Sequence, residues 1–146
     1  MSYTHTVTLP LGWEEAVQRT RDALAGQGFG ILSEINVRAT FEAKLGAEAA
    51  GAVGDYVILG ACNPALASRA LAADPEIGAL LPCNVVVRRG TSDVVTTISA
   101  IDPQTMVQLS NSAAVQDVAN DADTRLRKAL ASLTESGTAA GATPLR

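Results

Sequence analysis

The chain has 146 residues, 47% of them hydrophobic but only 3% aromatic, and 11 Lys and Arg stand against 15 Asp and Glu for a net charge of −4. That length and apolar fraction suit one domain whose core is packed from small and branched aliphatic side chains. The scarcity of aromatics and the absence of any basic run beyond Arg88-Arg89 argue against base-stacking platforms and against nucleic-acid partners.

The opening MSYTHTVTLP has no cationic segment followed by an apolar one, and no apolar stretch approaches the ~18 residues that cross a bilayer. The expectation is therefore a cytoplasmic protein with no membrane partner. The two cysteines, Cys62 and Cys83, are then reduced thiols.

In chain order, alternation over Thr4 to Leu9 predicts a strand ended by Pro10-Leu11-Gly12. Trp13, Ala16, Val17, Thr20 and Leu24 recur at helical spacing up to Gly26 and Gly28, predicting an amphipathic helix. A second strand follows in which Phe29, Ile31, Ser33, Ile35 and Val37 share one side, leaving Leu32, Glu34 and Asn36 on the other. Ala39 to Leu45 reads as a short helix, and the Ala- and Gly-rich Gly46 to Gly54 as a flexible connection. Tyr56 to Ala61 is an apolar run too short for a helix, hence a strand buried on both faces.

Asn63-Pro64 opens a helix over Ala65 to Ala73, because proline's fixed φ suits a first helical turn. Two strands, Cys83 to Arg89 and Asp93 to Ile101, are joined by a turn at Arg89-Gly90-Thr91-Ser92. Asp102-Pro103 starts another helix toward Met106 and Val107. Val115, Val118, Ala119, Ala122, Leu126, Ala129, Leu130 and Leu133 trace one stripe of a long helix. Residues 1–136 make a single domain, and 137–146 read as a flexible tail with little apolar mass. The expected fold is α+β, with an antiparallel sheet of about five strands and helices packed on one face.

Both cysteines stand before an asparagine. A helix from Ala65 to Ala73 carries the chain about 13 Å away from Cys62, and the stretch from Asp74 to Leu81, at ~3.3 Å per extended residue, can return that distance. Antiparallel neighbours then bring Cys62-Asn63 and Cys83-Asn84 to one rim of the sheet. Two thiols, two carboxamides and the amino end of a helix could hold a small anionic or sulfur-containing ligand or a thiophilic metal, or serve thiol exchange. The competing reading is packing: cysteine is a small, commonly buried residue, and Asn and Pro are turn formers.

Metal and cofactor signals are absent. No C-x2-C pair exists for structural zinc, the lone His5 reads as a surface residue, no G-x-S-x-G elbow is present, and Gly26 to Gly30 precedes a strand rather than following one. Glu34 and Lys44 are further polar candidates, read as an ion pair with a ligand contact as the alternative. Met106 reads as core.

The segments GFGILSEINV, FEAKLG, YVILGACNPALASRAL, DPEIGALLPCNVVV and AIDPQTM resemble the bacterial and archaeal domain of unknown function 302 family, from about Gly28 to Leu133. The resemblance implies a compact α+β homodimer similar to the TATA-box-binding-protein-like folds, and it implies no particular reaction. The chain departs from the family pattern at Asn36, where the pattern has aspartate, and in the longer Gly46 to Gly54 segment. Three functional classes follow: a small-ligand-binding domain, a thiol- or sulfur-handling enzyme or carrier using Cys62 and Cys83, and a structural interaction module.

Overall fold

A computed structural model describes the backbone of residues 2–142 and the side chains of residues 2–135. Strand β1 (Thr4–Leu9) leads into helix α1 (Trp13–Ala25), strand β2 (Gly30–Asn36) and two short helices, α2 (Val37–Leu45) and α3 (Ala47–Val53). Strand β3 (Asp55–Cys62), helix α4 (Pro64–Ala73), a 3-10 turn (Pro75–Leu80) and strands β4 (Cys83–Arg89) and β5 (Thr96–Ile101) follow. Helices α5 (Gln104–Val107) and α6 (Ala113–Ala142) complete the chain. The remainder of the expected tail, 143–146, lies outside the described residues.

The five strands form one antiparallel sheet in the order β1-β5-β4-β3-β2. Alternation decides what each face carries. Val57, Leu59 and Ala61 of β3, Val85 and Val87 of β4, and Ile98 and Ala100 of β5 are buried against Ala16 and Leu24 of α1 and Leu126, Ala129, Leu130 and Leu133 of α6. Alanines at Ala16 and Ala129 let both helices approach the sheet closely. A second cluster joins α4, the 3-10 turn, α5 and α6 through Leu66, Ala70, Ile77, Met106, Val115 and Val118. Helices thus cover one face. The opposite face is more open, with Tyr56, Ile58 and Val86 each half-buried.

Three local expectations need correction. Gly46 to Gly54 is not a flexible connection: Ala47–Val53 is helical, because alanine is the best helix former and the left-handed glycines Gly46 and Gly54 supply the breaks at either end. Asp93 does not begin a strand. Its carboxylate accepts the Gly90 N–H at 2.7 Å and its own N–H donates to the Gly90 carbonyl at 3.1 Å, so it closes the turn, and β5 starts at Thr96.

The third correction concerns β2, whose register against β3 slips between Ile31 and Ser33. One extra residue turns every later side chain to the other face. Ile31 lies opposite Ala61 on the helix side, whereas Ser33 and Ile35 lie opposite Gly60 and Ile58 on the open side, and Glu34 faces the helices opposite Leu59. Asn36 ends the strand and caps α2, its side chain accepting the Ala39 N–H at 2.9 Å.

Candidate functional site

Strand β3 ends at Cys62 and β4 begins at Cys83, and the register pairs Ala61 with Cys83, so the two cysteines occupy the same end of adjacent strands. Both thiols are free; Cys62 is half-buried and Cys83 buried. Burial pushes the Cys83 thiol up to about 11, with the neighbouring Cys62 adding to the shift. Cys62, Asn63 and Cys83 share a cavity of about 30 Å³ with Phe29, Leu81 and Met106.

Asn63 is occupied with the fold. It is the N-cap of α4, accepting the Leu66 N–H at 3.2 Å. Its amide nitrogen lies where a Cβ on Gly28 would sit only 2.9 Å away, so Gly28, held at φ +85°, leaves room for this side chain.

The other expected site residues are elsewhere. Asn84 points away from the cysteine cavity to the open face, because it alternates with buried Cys83 and Val85. Glu34 and Lys44 do not pair. The bulge in β2 turns Glu34 toward α1, where Arg21 is its partner, and Lys44, in the last turn of α2, makes no ion pair among the described residues. Neither lines the cysteine cavity.

On the open face, a concavity of about 380 Å³ is floored by Val86 and Ile101 and edged by Tyr3, Tyr56, Asn84 and Arg88. Ser99 and Thr6 share a 2.9 Å hydroxyl hydrogen bond in its wall. Arg88 makes no ion pair among the described residues. This volume lies in the range of small-molecule sites, and the lining combines an apolar floor with a few polar groups and one cation. The sequence signal was available in the alternation of β4, which sends Asn84, Val86 and Arg88 to one side and Cys83, Val85 and Val87 to the other.

A second cluster escaped sequence reasoning altogether. His5 Nε2 lies 2.6 Å from Asp123 Oδ1 and 3.7 Å from Asp102 Oδ1. The other Asp123 oxygen is 3.1 Å from Arg127 Nε. His5 is therefore not a plain surface residue: it is half-buried and links β1 to α6, with Asp102, just past β5, beside it.

The family model for the domain of unknown function DUF302 matches residues 5–133. A crystal structure of an uncharacterized conserved DUF302 protein from Bacillus stearothermophilus is similar at a TM-score of 0.78 and 30% identity, covering 89% of this chain and 97% of that one. No curated protein matches the chain.

Proposed function

The chain belongs to the DUF302 family, and from that premise we propose that it is a homodimeric domain that binds a small anionic ligand on the open face of its sheet. The observation that carries this reading is the concavity of about 380 Å³, in which Arg88 stands above an apolar floor without an ion-pair partner among the described residues. An anionic group would sit against the Arg88 guanidinium, whose fork of donors matches a carboxylate or phosphate, and Asn84 can both donate and accept beside it. Tyr3 and Tyr56 flank the apolar remainder of the ligand.

The cysteine rim supports a ligand of this size poorly. About 30 Å³ admits roughly one water-sized group. Thiol exchange is the less favoured reading, because the nucleophile is the thiolate and burial holds Cys83 protonated. Unpaired thiols at this rim suit a reducing compartment, which supports a cytoplasmic setting.

We infer that a second copy docks at the β2 end of the open face. Ile35 is 48% exposed there beside Ile58, so an apolar strip continues past the concavity without filling it. This leaves the structural-module reading as part of the same proposal, since assembly and ligand binding use different ends of one face.

The test is a two-dimensional amide NMR titration of the full chain with inorganic phosphate and a set of short carboxylates. Shifts centred on Asn84, Arg88 and Ser99 that vanish in Arg88→Ala are the expected result. Shifts elsewhere, or none at millimolar probe, would reject the site. For assembly, sedimentation should give a dimer that Ile35→Glu converts to monomer, and a monomeric wild type at micromolar concentration rejects the dimer.

A further inference from the structure

We propose that the cavity between Cys62, Cys83 and Met106 is a binding site for a soft monovalent metal ion, copper(I). The three sulfur side chains come from the end of β3, the start of β4 and the single turn of α5, and they line one cavity of about 30 Å³. This site is separate from the anion site on the open face, so either can fail alone.

The size and the lining both point to an ion. A void of this volume holds one atom or one water. Water needs two to four polar partners, and beyond the Asn63 carboxamide, already engaged as a cap, the lining is Phe29, Leu81, Pro82 and other apolar groups with the three sulfurs. What this cavity offers in abundance is polarizable sulfur.

Ligand type selects the metal. Thiolates and a thioether favour copper(I) over hard cations, and among the described residues no histidine or carboxylate lines the cavity to attract a hard divalent ion. Structural zinc takes four ligands in a tetrahedron, one more than the sulfurs here.

The charge balance is also favourable. Binding follows two Cys–SH + Cu⁺ → [Cu(S-Cys)₂]⁻ + 2 H⁺, with the Met106 thioether as a neutral third ligand and both protons released to solvent. The cation compensates the charge of the buried Cys83 thiolate, and the amino end of α4, opening at Pro64 next to Cys62-Asn63, offsets the remaining negative charge. Two ligands sit on paired strand ends, so little ordering is needed on binding.

The experiment titrates the reduced, full-length chain anaerobically with copper(I) held by the colorimetric chelator bathocuproine disulfonate. One copper(I) per chain should be withdrawn from the chelator, with sulfur-to-copper charge-transfer absorption in the near ultraviolet. Met106→Leu keeps the apolar volume, and its fold is checked by circular dichroism; its affinity should fall by at least about tenfold, since changes to outer-shell partners alone cost about 10- to 100-fold. Cys62→Ser should abolish retention. The proposal is overturned if wild type leaves all copper with the chelator. It is equally overturned if Met106→Leu and Cys62→Ser, both folded, retain copper as tightly as wild type.

Discussion

His5 and Asp123, 118 positions apart, are joined by a 2.6 Å hydrogen bond that fastens the first strand to the longest helix. Asp123 is 8% exposed and Arg127 reaches its second oxygen. Removing the imidazole leaves a buried carboxylate oxygen without its partner, and such a loss costs roughly 1–3 kcal/mol. His5→Ala should lower the urea midpoint accordingly without changing the denaturant slope. An unchanged midpoint would mean that β1 is held by its pairing with β5 alone.

Gly60 is required by its neighbours. A Cβ at this position would run into the Ser33 side chain and lie 2.9 Å from Pro82 Cγ. Gly60→Ala should therefore cost about 1–3 kcal/mol through overpacking. Thermal unfolding of Gly60→Ala beside Ser33→Gly/Gly60→Ala separates the two contacts. The double variant should recover part of the loss and retain the part due to Pro82.

Asn63 stands next to Cys62, and its role divides cleanly between cap and ligand contact. As the cap of α4, Asn63→Ala should lose about 0.5–2 kcal/mol, while Asn63→Asp, which keeps an acceptor for the Leu66 N–H, should lose much less. Chemical denaturation measures both. Equal losses in the two variants would mean that the amide group matters for a reason other than capping.

The fold was legible where local chemistry and tertiary packing agree. The stripe from Val115 to Leu133 gave α6, Asn63-Pro64 gave the start of α4, and the apolar run before Cys62 gave a central strand. What failed was whatever depends on pairing across space. A strand read in isolation cannot reveal the slip between Ile31 and Ser33: plain alternation sets Glu34 on the face opposite Ile31 and leaves Lys44 as its cation, whereas the slip brings Glu34 to Ile31's face and to Arg21. The Ala- and Gly-rich segment before Gly54 was ambiguous for a different reason: its composition suits helix and linker alike, and burial of Ala50 favours the helix. The candidate site was half legible. Antiparallel return placed Cys62 and Cys83 together, but the alternation of β4 already separated Cys83 from Asn84, and the His5 cluster had no short-range pattern to betray it.

The last prediction concerns Cys83, where burial and reactivity are linked through one proton. With its thiol pushed up to about 11, only roughly one molecule in a thousand carries the Cys83 thiolate at pH 8. Iodoacetamide should therefore modify the half-buried Cys62 first and reach Cys83 only after unfolding. The same proton sets an alkaline limit on stability. The unfolded chain releases it near the ordinary value of 9.0, whereas the folded chain holds it to about 11. The folded state thus binds more protons in this interval, the Cys83 contribution is complete below pH 9, and it is lost as the pH rises through 11. The loss amounts to roughly 2–3 kcal/mol over those two pH units. The measurement compares urea midpoints of wild type and Cys83→Ala from pH 8 to 11, so that everything common to both chains cancels. Cys83→Ala should start lower, because it leaves a small cavity, and then decline less steeply than wild type. Parallel declines, or early alkylation of Cys83 in the folded protein, would show that its thiol is far more accessible than its burial implies.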